Sequence, residues 1–557
     1  MFSLPTTWLL RSRFLLSLVV GAVAAIAISC GSGDGGSVSN DDGGGEQVFR
    51  LRLAGDPESL DPQQADVEDE ISIVKQLYRG LFAYDKDLNV VPSVATEVPT
   101  KENGGISEDG LTYTLKLRDD VTWSDGTPLS SQDFVYAFQR LFDPDAGASG
   151  YYYSFYTGIK GATEASEGTA PLETVGVTAP DATTLQIELT TQQPTLPILL
   201  ALWPVSPLRR DLIDQHGDAW TQAGNLIGNG PFTLAEYTPG EQIVLERNDA
   251  YWGDDAAKVS RIVYRIIPDD AAALLAYENG ELDMTSIPTS DASRYEGNAD
   301  QLRYPQLETY ALQYGTAAEP FDDPLVRKAI SRAIDREAYI KAVQSNVGVP
   351  ALGWLPPGLP GYDAAVGAGL DFDPAEAKTL LSEAGFPNGE GFPDVSFIIA
   401  DGSGADLTAD FVKAQLKQNL GIDIGIEALE ESVWEERFQS GDFQMSWSSW
   451  FADYADPENW LPQQFGTDGG FNIYAYSNPE VDELFEQAAS ELENDARLAL
   501  YDQAHKIIID DDQALTPLYY PERNFLVKSN VKGLTTTGLD AMPGDWFFTS
   551  ITVEAAA

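Results

Sequence analysis

The chain is 557 residues long, with 34 lysines and arginines against 87 aspartates and glutamates, a net charge of −53, and one cysteine. An acidic excess of that size argues against nucleic-acid and anionic-membrane binding, and a single cysteine excludes an intramolecular disulfide. Hydrophobic residues make up 43% of the chain, enough for the cores of two or three lobes.

The acids are scattered rather than run in blocks, so they read as a solvated face suited to a salt-rich habitat, where screening relieves self-repulsion. Residues 1–30 read as a processing signal: Arg11 and Arg13 form a positive segment, 14–28 an apolar one, and small residues lead to Cys30. The apolar run is short for a membrane span, which takes about 20 residues. Ala27-Ile28-Ser29-Cys30 is similar to a bacterial lipobox, whose cysteine is acylated and begins the mature chain. The alternative is an ordinary secretory signal with a chance cysteine. Residues 31–46, mostly Gly, Ser and Asp, form a tether whose ends lie on the order of 20 Å apart.

Strands and helices alternate from there on. Residues 48–53 predict a strand, Leu60-Asp61-Pro62 a turn, and 71–82 a helix. Strict alternation places Leu111, Tyr113, Leu115 and Leu117 on one face of a half-buried strand. After Trp123-Ser124-Asp125-Gly126-Thr127-Pro128, Ser130 and Asp133 have capping-box spacing. They open a helix with Phe134, Val135, Phe138, Leu141 and Phe142 as its stripe. The aromatics from Tyr151 to Tyr156 cannot share one face, so some are core and some are free to reach a cleft. Gly228-Asn229-Gly230-Pro231-Phe232 precedes further strands, a helix over 270–278, and helices begun by Asp323-Pro324 and Asp373-Pro374. Strands over 392–399 and 422–427 enclose a helix over 407–420; two more helices, 481–491 and 496–510, follow before Tyr519-Tyr520.

The densest stretch is 443–461, with Trp447, Trp450, Trp460 and Tyr454 around Asp453 and Asp456, which Pro457 turns. Aromatic faces and carboxylates together suit a cation. The other reading makes the tryptophans core and the aspartates turn caps. Nothing stronger points to catalysis. His216 and His505 are the only histidines, zinc and nucleophile-elbow motifs are missing from the sequence, and Asp453 with Asp456 as a glycosidase couple is a remote alternative.

Trp450-Phe451-Ala452-Asp453-Tyr454-Ala455-Asp456-Pro457 resembles the Trp-x-x-Asp-Tyr-x-x-Pro segment of the oligopeptide-binding proteins of bacterial ABC importers, in the large extracytoplasmic solute-binding family 5. The block from Trp123 to Arg140, the Leu-Asp-Pro opening and the Gly228–Phe232 string are similar to the same family. The fold class this implies is α/β: a two-lobed periplasmic-binding-protein fold, type II or Venus-flytrap, with an extra inserted lobe. The first lobe would comprise 47–80, 225–310 and 521–557, the extra lobe 81–224, and the second lobe, carrying the ligand-binding stretch, 311–520.

The resemblance also implies a function and its residues. Asp453 is expected to pair with a peptide's α-ammonium, assisted by Asp66, five residues beyond Asp61. Backbone around Ser448, Ser449 and Trp450 would hydrogen-bond the ligand as an added strand, and Trp450, Trp447 and Tyr454 would line the pocket. Several relatives carry arginine where Trp447 stands, and Arg437 on the preceding helix is the cation that could compensate. The expected protein is a non-enzymatic, monomeric lipoprotein with no cofactor or metal. It would hold a peptide, deliver it to an ABC permease, and sit at the membrane through Cys30. An oligosaccharide, opine or nickel chelate in the same importer role is the alternative.

Overall fold

The computed structural model describes residues 47–402 and 404–555; Cys30 and the tether lie outside them. Three sheets carry the fold. The first has seven strands in spatial order Gln301–Pro305, Glu522–Val527, Met284–Ser286, Val48–Leu53, Arg261–Ile266, Gln242–Arg247, Phe232–Thr238. Val48–Leu53 runs parallel to both of its neighbours, is buried on both faces for most of its length, and is correspondingly rich in Val, Leu and Phe. The second sheet orders Val349–Pro350, Leu515–Tyr520, Glu308–Tyr314, Met445–Phe451, Ser396–Ala400, Gly425–Leu429. The third is a small antiparallel sheet, Thr112–Lys116, Thr184–Glu188, Val177–Asp181.

The chain passes between the first and second sheets at Pro305 to Glu308 and returns at Tyr520 to Glu522. The two crossings run side by side, joined by the Gln306 amide donating to the Pro521 carbonyl at 3.2 Å. Two short, adjacent crossings have the geometry of a hinge between lobes.

The helix Ser131–Leu141 has the capping box that its spacing predicts, Ser130 and Asp133 satisfying each other's backbone. It buries Phe134 and Phe138 against the first lobe, and its Arg140 grips Asp61 through both carboxylate oxygens at 3.2 and 2.5 Å. Two of the strings that carry the family resemblance are therefore one buried ion pair. Asp323 and Asp373 cap the helices Pro324–Ala333 and Pro374–Glu383 by accepting from backbone amides.

The helix predicted over 71–82 instead spans Glu68–Leu77. The Gly228–Phe232 loop packs on its last carbonyl: the Gly230 amide donates to Leu77 O at 2.9 Å, and a Cβ on Gly228 would lie 2.0 Å from that oxygen. Asn229 then holds both the amide and the carbonyl of Arg79 at 2.9 Å, fixing the chain beyond the helix in extended form. Only glycine admits so close an approach.

Buried apolar side chains divide unevenly. One cluster runs from Phe49 and Tyr264 through Phe134 and Phe138 to Trp203, so the inserted lobe shares a continuous core with the first. The second lobe has two clusters of its own, one around Trp354 and Trp460 and one around Tyr314 and Phe397. Among the described residues, Tyr454 alone of 307–520 joins the first-lobe cluster. No helix among the described residues is long and apolar enough to cross a membrane.

Candidate functional site

Met445–Phe451 pairs along its whole length with Glu308–Tyr314, but meets Ser396–Ala400 only at Met445. The bonds from Gly315 N to Gln444 O and from Ala452 N to Leu307 O set the alternation. Ser446, Ser448 and Trp450 turn their amides and carbonyls toward Glu308–Tyr314, while Trp447, Ser449 and Phe451 turn theirs to the unpaired side. This corrects the expected backbone set. Ser448 and Trp450 spend their main-chain groups inside the sheet; of the expected set only Ser449 turns them to the unpaired side, with Trp447 and Phe451 beside it.

Just beyond that strand, the Asp453 amide donates to Asn459 Oδ1 at 2.9 Å. Asn459 Nδ2 and the Tyr151 hydroxyl both donate to Asp453 Oδ2, at 2.9 and 2.6 Å. Among the described residues, Oδ1 receives no hydrogen bond and no lysine, arginine or histidine nitrogen lies within 4.0 Å of the carboxylate. Burial pushes the carboxyl up from 3.8 to about 6, against the lowering effect of the Tyr151 and Asn459 bonds. An anion in that position is incomplete without a cation.

Asp456, three residues on, is complete. Arg497 binds its two oxygens at 2.6 and 2.5 Å, both side chains are almost fully buried, and Asp456 also caps the turn at Glu458 N. This argues against the acid-couple alternative, because Asp456 is buried and committed to Arg497 and the turn. His505 is core as well: wholly buried, its Nε2 accepts from Trp354 N at 2.9 Å, and burial pushes it down to about 3.

Tyr151 comes from the short helix Gly150–Tyr153 in the inserted lobe. Two residues earlier, Ser149 Oγ lies 3.5 Å from Asp66 Oδ2. One short segment thus touches both acids singled out from the sequence, and the phenol of Tyr152 between them is raised by burial and then by both carboxylates. Partial burial raises the Asp66 carboxyl too.

The aromatic residues take distinct places. Trp447 stacks on Tyr310 at 4.9 Å, and Tyr310 on Tyr519 at 4.9 Å. Trp450 meets Phe471 edge-on at 5.3 Å, and Phe471 also meets Tyr151. The indole N–H groups of Trp447 and Trp450 are buried without an acceptor among the described residues. Tyr454 is almost fully buried, bonds Glu458 through its hydroxyl and packs edge-on against Phe155 at 5.6 Å, so it is an inter-lobe contact rather than an open wall.

Arg437 does not join the others. Its guanidinium is taken by Glu427 at 3.1 Å and Asp442 at 3.4 Å. Glu427 lies two strands from Met445–Phe451, about 10 Å away, so Arg437 does not supply the compensating cation expected beside Trp447.

Sequence reasoning missed Asn459 and Phe471. Asn459 lay within the dense stretch, but nothing local tied its amide to Asp453.

The profile of the bacterial extracellular solute-binding proteins, family 5 (middle region), matches residues 89–472. The oligopeptide-binding protein OppA of Bacillus subtilis (strain 168) is 28% identical over 542 residues, covering 95% of this chain and 98% of that protein. Among solved structures, the murein tripeptide binding protein MppA in its unliganded open form superposes with a TM-score of 0.81 at 30% identity, over 91% of this chain and 98% of the other. Haemophilus influenzae OppA in complex with RPPGFSPFR gives 0.67 at 25% identity, over 91% and 99%.

Proposed function

The chain belongs to the bacterial extracellular solute-binding proteins of family 5, and we propose that it captures peptides outside the cell membrane and delivers them to an ABC-type import permease. The observation that carries this reading is Asp453, a half-buried carboxylate that among the described residues has one oxygen free and no cation, at the end of a strand whose outer edge is unpaired. A peptide offers both complements at once: an α-ammonium for the carboxylate and an extended main chain for the amides and carbonyls of Trp447, Ser449 and Phe451. Because those are backbone groups, recognition is largely blind to ligand side chains. Trp447 and Trp450 line the groove.

Closure follows from the same geometry. Asp66 and Tyr151 stand on one side of the hinge; Asp453 and the open edge stand on the other. A ligand that touches both favours the closed arrangement by its differential affinity. We divide the lobes at 47–80, 225–310 and 521–557, then 81–224, then 311–520. Cys30 is assigned as the lipid anchor and 31–46 as the tether that lets the body reorient near its permease. Neither assignment calls for catalysis.

The test is mass spectrometry of the small molecules released when the protein, purified without added ligand, is denatured. A mixture of short peptides with free amino termini is the expected result. A single sugar, opine or nickel chelate would overturn the peptide assignment while keeping the importer role.

A further inference from the structure

We infer that Glu308 forms an acidic side-chain subsite that makes the cleft favour lysine or arginine as the third residue of a bound peptide. This rests on the peptide reading above and adds a sequence preference to it.

Glu308 opens the strand next to the free-edged one and stands directly opposite Phe451. Its side chain shares a face with Tyr310, Trp447 and Ser449, since alternate residues of a strand point the same way. On that face Ser449 is the one small residue between Phe451 and Trp447. Beside that gap the Ser449 and Tyr310 hydroxyls act to lower the pKa of the Glu308 carboxyl, against the larger raising effect of burial. It has no ion-pair partner within 4.0 Å among the described residues. Its cationic neighbour, Arg523, is held by the Glu68 carboxylate and the Asp540 carbonyl instead. Burial pushes the Glu308 carboxyl up, as it does for Asp453. The chain therefore holds a second half-buried carboxylate that lacks a cation, one strand back from the open edge.

The ligand's direction selects the residue that reaches it. An amino terminus at Asp453 lies beyond Phe451, so the peptide runs antiparallel to Met445–Phe451, its first residue facing Phe451 and its third facing Ser449. Directly opposed residues of an antiparallel pair put their side chains on the same face. The third side chain therefore points over Ser449 toward Glu308, and the second points to the opposite face. The ligand strand and the Glu308 strand lie two strand spacings apart, about 10 Å, and the third residue is offset from Glu308 by two positions along the strands, which makes the diagonal about 12 Å. A long lysine or arginine stem and the glutamate side chain span that gap from its two sides.

The experiment is calorimetric titration of the purified protein with Ala-Ala-Lys-Ala, Ala-Ala-norleucine-Ala and Ala-Lys-Ala-Ala. The lysine at position three is expected to bind at least about tenfold more tightly than norleucine there, and more tightly than lysine at position two. Glu308→Gln should level the first pair while leaving the norleucine peptide's affinity unchanged, which also shows that the variant is folded. Equal binding of the first two peptides by the unaltered protein would overturn the subsite and leave the peptide reading standing. A lysine preference that survives Glu308→Gln would overturn it as well. Failure of all three peptides to bind would remove the peptide reading and the subsite together.

Discussion

Replacing Asp453 by asparagine should make the empty protein more stable and nearly unable to bind peptide. The asparagine carbonyl oxygen can still accept from Tyr151 and Asn459, so the shape and both bonds survive while the uncompensated charge goes. Raised from 3.8 to about 6, the folded carboxyl is protonated more readily than the unfolded one. Its favourable contribution is therefore complete below about pH 4 and is lost as pH climbs through 6. At pH 7.5 the ionised group destabilises the fold by up to about 3 kcal/mol, which asparagine recovers. Spread over a body of this size, that is a rise of roughly 3 °C in Tm by calorimetry. Peptide affinity, by titration at the same pH, should fall by about 2–5 kcal/mol, the loss expected for one partner of a desolvated charge pair. In the unaltered protein, affinity should weaken roughly tenfold per pH unit below about 6, because the ammonium needs the ionised carboxylate. An Asp453→Asn protein that melts lower at pH 7.5 would refute the buried-charge argument. One that binds peptide undiminished would refute the ammonium assignment.

Arg497→Ala strands the buried Asp456 carboxylate without its cation, and urea denaturation should show a loss of about 3–5 kcal/mol. Proline separates the two edges of Met445–Phe451: Ser449→Pro removes an outward amide and should weaken peptide binding with little change in melting. Ser448→Pro breaks the ladder to Glu308–Tyr314 and should lower the melting temperature first. With a net charge of −53, the protein should unfold at higher denaturant in molar sodium chloride than in dilute buffer, as screening relieves its self-repulsion. A midpoint independent of salt would count against a salt-rich habitat.

Local rules left strong marks on the fold. Alternation in 111–117, the Ser130–Asp133 box and the Asp-Pro helix starts act within a few residues and stand in the structure near their expected places. What chain-local patterns could not show is how distant residues complete a group. Asp453 and Asp456 look alike from three residues apart, and their difference is made by Arg497, 41 residues downstream of Asp456, and Tyr151, 302 residues upstream of Asp453. The choice of Ser449 over Ser448 likewise depends on which neighbour each faces, a property of the ladder's phase. Arg437 was credited with reach that its actual partners, Glu427 and Asp442, take from it.

The one-sided pairing of Met445–Phe451 has a consequence for the protein as a crowded solute. A strand with a bare edge is an invitation to any other chain with the same pattern, and stacked copies are the first step toward a fibre. Here the exposed length ends at Met445, where Ser396–Ala400 joins, and at Asp453, whose negative charge closes the other end. Tyr151 and Phe471 stand over it. A slender, flexible chain can thread into that slot, whereas a folded neighbour's strand is too bulky to follow. Recessing the reactive edge between lobes thus lets the protein keep an unfinished sheet without polymerising through it.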